Sequence, residues 1–256
     1  MDDAGKALSL DPDCGAAYDA QAAGYIEGQY LELRSQLLEN CICVCTKSLQ
    51  CSGNHRMAFA LRGEALFQLG RTEQAVGDLR QALLLDADEG PILESLAQSY
   101  QSLRRYGAEL EVRNKLVQLY PRNPFVYCGR CLTNYFLGRY YDCIADADMT
   151  SKLSDDEVFP YLIKGEAYQH LGLHAEAIAA FSEFLEKTPV CGSFGHRLRA
   201  KSRLLTGDLI GAAFDYLSCI QNDGTALSGL QNLAFVLLVP FIFLFIRARP
   251  VRLPIQ

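Results

Sequence analysis

Two groups of residues have the types that could do chemistry. Cys41, Cys43, Cys45, Cys51 and His55 lie close together, and Cys128 and Cys131 form a Cys-x-x-Cys. Thiolates and imidazoles at short spacings bind zinc or exchange disulfides. A structural zinc site needs two paired half-sites at workable spacing, however. The run CICVC reads as the interior of a long helix, Leu31–Gln50, on which only Cys41 and Cys45 share a face. The four histidines, His55, His170, His174 and His196, have no Cys or Ser partner at a motif spacing. His170 and His174 flank Gly172 in what reads as a solvated turn, and Asp155, Asp156 and Glu157 read as a solvated loop. No GxGxxG, Walker A, HExxH or GxSxG motif occurs. The expectation is therefore a non-enzymatic chain with no catalytic residue, no metal site and no cofactor.

The elements that hold these residues share one pattern. In Arg56–Glu89, with Arg56 as position 1, Phe59, Arg62, Gly63 and Leu66 stand at positions 4, 7, 8 and 11, one face of a helix. Gly70 at position 15 is placed to end that helix. Ala75, Leu79, Ala82 and Leu83 at positions 20, 24, 27 and 28 form one face of a second helix. The pattern recurs at a shift of 34. Leu93, Leu96, Ala97 and Tyr100 take positions 4, 7, 8 and 11 of the next unit, and Tyr127, Cys131, Gly138 and Cys143 take positions 4, 8, 15 and 20 of the third. Tyr161, Gly165, Tyr168, Gly172, Ala177 and Phe181 take 4, 8, 11, 15, 20 and 24 of the fourth. After a one-residue insertion, Ala200, Gly207, Ala212, Tyr216 and Cys219 take 8, 15, 20, 24 and 27 of the fifth. Cys131 and Cys219 thus stand where a small hydrophobe packs. Glu109, Arg113 and Asn134 break the pattern at positions 20, 24 and 11, so looser packing is expected around them.

The register and the segments RGEALFQLG and KGEAYQHLG resemble the tetratricopeptide repeat family. The resemblance implies an all-α fold, an α-solenoid in which helix-turn-helix repeats stack into a right-handed superhelix. It covers residues 56–223 as five tandem repeats. Residues 1–55 read as partial and irregular repeats, with Asp3–Pro12 resembling the end of a second helix whose partner is missing. A start in mid-repeat is the expectation for a fragment or variant of a longer array.

The resemblance also implies that first helices line a concave groove through positions 2, 5, 6, 9, 12 and 13. Carried onto this chain, the groove candidates are Phe67, Gln98, Leu132, Tyr135, Phe136, Phe159, Leu162, Glu166 and Lys201. Its middle is aromatic and apolar, which suits a partner helix or extended peptide with spaced apolar anchors. Position 9 carries Glu64, Gln98, Leu132, Glu166 and Lys201, a poor match to the Lys, Asn and Arg clamp with which some members hold chaperone carboxyl termini. The leading expectation is an interaction scaffold for a protein or peptide partner. The alternative is a co-chaperone or assembly adaptor.

A net charge of −6 lacks the basic footprint of a nucleic-acid binder. The polar, acidic start resembles neither a secretory signal nor a transit peptide, and ten cysteines then suggest a reducing cytoplasm. Residues 224–256 stand apart as a hydrophobic segment with a basic tail. No charge occurs between Asp223 and Arg247, and Leu233–Ile246 is apolar throughout. A bilayer needs about 20 predominantly apolar residues. The stretch 225–246 supplies that length, interrupted by Gln231, Asn232 and Pro240. Three readings of this segment stand at the sequence level: a membrane anchor for cytoplasmic repeats, a helix capping the last repeat, or a variant terminus.

Overall fold

The computed structural model describes residues 34–51, 55–188 and 192–223, which hold eleven helices and no strand. These are α1 (Arg34–Ser48), α2 (Arg56–Gln68), α3 (Thr72–Leu85), α4 (Gly90–Ser102), α5 (Tyr106–Leu119) and α6 (Pro124–Phe136). They continue with α7 (Tyr140–Leu153), α8 (Phe159–His170), α9 (His174–Lys187), α10 (Gly192–Thr206) and α11 (Leu209–Asp223). The expectations for residues 1–33 and 224–256 lie outside the described residues. Among the described residues no helix is long and apolar enough to cross a membrane. The candidate span 225–246 is not among them.

The chain divides into two compact units, Met1–Thr133 and Asn134–Gln256. In the first, each helix from α1 to α5 packs on the next. Leu38, Cys41, Val44 and Cys45 of α1 form a buried cluster with Ala65 of α2. Val76, Leu79 and Ala82 of α3 do the same with Ile92 and Leu96 of α4. In the second unit α7 to α11 pack in the same consecutive manner. Ala200, Ala212 and Tyr216 close its last pair of helices.

Positions 8 and 24 show why a glycine recurs in the first helix. A Cβ on Gly63 would lie 2.8 Å from Leu79 Cγ, and one on Gly165 would lie 2.4 Å from Phe181 Cε1. The absent side chain lets a bulky one from the second helix sit against the backbone. Phe181 is fully buried there, which contributes about 1.5–3 kcal/mol relative to exposure.

Position 15 ends the first helix of each repeat, from α2 to α10, in the same way. Gly70, Arg104, Gly138, Gly172 and Gly207 all have positive φ, between 55° and 84°. The amide one residue later reaches back five residues, as in Arg71 N–H to Leu66 O at 2.8 Å and Arg105 N–H to Tyr100 O at 2.8 Å. This satisfies a carbonyl that the helix end would otherwise orphan. Among the described residues, Arg104 is the one non-glycine with positive φ.

The breaks at Glu109 and Arg113 are packed rather than loose, which corrects the expectation drawn from the pattern. Glu109 is fully buried and Arg113 is 5% exposed. Arg113 donates from Nη1 to both carboxylate oxygens of Glu94, at 2.8 and 2.7 Å. Its Nε lies 3.4 Å from Glu109 Oε1, which also accepts from Thr133 Oγ1 at 2.8 Å. Gly129 makes the room: a Cβ there would meet the Arg113 guanidinium at 2.6 Å. Burial pushes the Glu109 carboxyl above its ordinary range, opposed by Thr133 and Arg113. In the second unit, Asn134 donates to Asp146 Oδ2 at 3.0 Å, both being buried. Polar residues hold these helices largely by bonding to one another, although Glu109 Oε2 is buried without a hydrogen-bond partner.

Candidate functional site

The first-helix faces of the two units differ in chemistry. In the first unit, the groove candidates lie among polar residues tied to each other. Glu64 accepts from Gln68 Nε2 and from Ser95 Oγ, both at 2.9 Å. Gln98, exposed on α4, donates to Glu94 at 3.2 Å. Phe67 on α2 and Leu132 on α6 are half-buried.

In the second unit the same face is aromatic. Tyr135, near the end of α6, stands edge-on to Phe136, Tyr140 and His170, with ring centroids 5.7, 6.0 and 5.6 Å away. His170 stacks on Tyr140 at 4.8 Å with the planes only 2° apart. The Tyr135 hydroxyl and His170 Nε2 are 3.2 Å apart. His170 is exposed, yet it is held in this cluster rather than standing in a plain solvated turn. Burial, with help from Glu166, pushes the Tyr135 phenol up to about 12, so it stays protonated at neutral pH. Such contacts fix the ring before any partner arrives, and a side chain ordered in advance costs less entropy on binding.

Beside this cluster Phe136 remains 47% exposed, and Phe159, 39% exposed, begins α8 at the end opposite His170. Leu162 and Glu166 are half-buried on α8. Burial raises the Glu166 carboxyl, and the nearby Lys201 ammonium on α10 opposes that shift. Lys201 itself is exposed. Phe194, at the start of α10, is 43% exposed with the Arg197 guanidinium 5.1 Å over its ring. Tyr140 is absent from the candidates that the sequence supplies. Its signal there is its place just past the Gly138 turn, with Tyr135 and His170 about one repeat apart.

The cysteines are dispersed. Cys41 and Cys45 point into the α1–α2 core with sulfurs 4.0 Å apart, whereas Cys43 is exposed. Cys131 and Cys143 are buried, and Cys219 donates to Ser193 O at 3.1 Å. Among the described residues no three His, Cys, Asp or Glu side chains gather as a metal site would require.

Comparison with known proteins places the repeat. The family model for the tetratricopeptide repeat matches residues 58–89 and 160–189. Superkiller complex protein 3 of Homo sapiens is 26% identical over 229 residues, 90% of this chain and 13% of that protein. Its Mus musculus counterpart is 29% identical over 176 residues, 69% of this chain and 11% of that protein. The chain therefore spans a small part of these curated relatives' length. Among solved structures, the C-terminal part of a TPR repeat-containing protein from Cytophaga hutchinsonii superposes with a TM-score of 0.74 at 13% identity, covering 91% of this chain and 92% of that one. YrrB, described as a TPR protein with an unusual peptide-binding site, gives 0.61 at 14% identity, covering 73% and 96%. The two matched segments stand in the register read from Phe59, Gly63 and Gly70, and the helix-turn-helix packing is that of these structures. Residues 58–89 and 160–189 match the tetratricopeptide repeat, and the fold is that of a tetratricopeptide-repeat solenoid.

Proposed function

We propose that this interaction scaffold binds a segment of a protein partner on the first-helix face of its second unit. The observation that carries this reading is the ordered aromatic cluster of Tyr135, Tyr140 and His170 beside the exposed ring of Phe136, with exposed Phe159 at the opposite end of α8. Aromatic side chains with few rotors make effective anchors, because little freedom is lost when they are covered. Leu162 extends the apolar area, while Glu166 and Lys201 supply polar edges that would orient the segment. Phe67, Gln98 and Leu132 are the first unit's own contacts in this reading. An assembly-adaptor role has one observation in its favour, the similarity to a protein named for the Superkiller complex.

A photo-crosslinking residue placed at Phe136 or Phe159 tests the reading. A partner crosslinked from both positions, and not from exposed Glu176 on α9, is the expected result. Equal crosslinking from all three positions would sink the proposal.

A further inference from the structure

A second cleft, of about 550 Å³, opens on the first unit between α3, α4 and α5. None of the groove candidates lines it. Its floor includes Leu83, Leu96 and Val112. Its charged rim is Arg80 on α3 with Glu111 and Lys115 on α5. The volume falls within the range of pockets that take a bound group.

Gly77 is the informative residue of this cleft. A glycine inside a helix costs about 1 kcal/mol relative to alanine. Gly63 and Gly165 have a packing reason for it, and Gly77 has none: a Cβ there would meet nothing within 4 Å. The same position in the later units carries Glu111, Ala145, Ala179 and Phe214, so the helix accepts side chains there. What the glycine does is leave the cleft mouth open. Leu84, beside it, is 76% exposed.

The rim charges say what would fit. Lys115 is already held by Asp88 at 3.0 Å and by the Ala87 carbonyl. Arg80 and Glu111, both exposed on opposite sides, remain to meet a visitor. We propose that this cleft is a second docking site, taking a peptide segment of a protein partner that inserts a leucine- or phenylalanine-sized side chain. A carboxylate of that segment faces Arg80 and a basic group faces Glu111.

The test uses the full chain and labelled short peptides in which Leu or Phe is flanked by Glu and Lys, in both orders. Peptides with Ser at the anchor serve as controls. Fluorescence anisotropy is expected to show the Leu and Phe peptides binding at least about tenfold more tightly than the Ser peptides. Gly77→Leu, which fills the mouth, abolishes that difference while melting no lower than wild type. Gly77→Ala keeps it. The charge swap Arg80→Glu with Glu111→Arg inverts the preferred order of Glu and Lys, and Glu176→Lys on α9 changes nothing. Equal binding of the Ser peptides, binding unaffected by Gly77→Leu, or a lower melting temperature for Gly77→Leu would each overturn the proposal.

Discussion

Asp215→Ala probes how the last pair of helices is held. Asp215, on α11, is 2% exposed and collects three basic side chains from α10. Arg199 donates from Nη2 at 2.7 Å and from Nε at 3.1 Å, and Arg203 donates from Nη1 at 2.8 Å. His196 Nδ1 lies 2.9 Å away. Removing one partner of a buried ionic cluster costs about 3–5 kcal/mol, because the remaining charges stay desolvated. The side chains of Arg199, Arg203 and His196 are 15%, 22% and 20% exposed, so they can turn partly to water. The lower end, about 3 kcal/mol, is therefore expected. Asp78 holds the equivalent position in the first repeat and binds Arg62, at 2.7 and 2.9 Å. Its removal is expected to cost about 1.5 kcal/mol. The exposed pair Arg105–Glu73 supplies the control, with Glu73→Ala costing under about 1 kcal/mol. Hydrogen exchange reads these changes locally. About 3 kcal/mol corresponds to roughly a hundredfold faster exchange in α10 and α11. A change below about tenfold, or one no larger than that of Glu73→Ala near its own site, would refute the reasoning.

Three further outcomes are expected. Arg104→Gly should raise stability by about 0.5–1 kcal/mol in urea unfolding, because Arg104 holds a left-handed φ of 55° that the other four units give to glycine. Gly165→Ala should lower it by about 1–3 kcal/mol, since its Cβ would collide with buried Phe181, whereas any gain would contradict the packing at positions 8 and 24. Glu109 has a folded-state pKa above its unfolded value, so its contribution is present below about pH 4.5 and lost as the pH rises through the folded value. Glu109→Gln has no such loss, so its melting temperature relative to wild type should climb from pH 4 to pH 7, and a flat difference would count against the burial argument.

The repeat is legible in the sequence because it rests on short-range spacing. Phe59, Gly63, Leu66 and Gly70 declare one helix and its end within a single turn pattern, and the same spacing returns at Tyr161, Gly165, Tyr168 and Gly172. The buried polar network is not legible in this way. Glu109 and Arg113 break an apolar pattern, and nothing nearby announces that Glu94, Thr133 and Gly129, on two other helices, bond to them and make room for them. The same holds for His170. Its neighbours in sequence suggest a turn, while its stacking partner Tyr140 comes from another helix. The Gly77 cleft is equally hidden, because a helical glycine reads alike whether it admits a neighbour's side chain or faces open space.

The central claim is that the aromatic first-helix face of the second unit binds a protein segment. It is tested most directly by capturing partners on immobilised wild-type chain and on Phe159→Lys with Leu162→Lys, each washed at low and high salt. Both substituted residues keep part of their surface exposed, so the double variant should melt close to wild type. The account predicts a partner that wild type retains at high salt and the variant loses, because apolar docking is little screened. Equal retention by the two proteins, or release from wild type by salt alone, would contradict it.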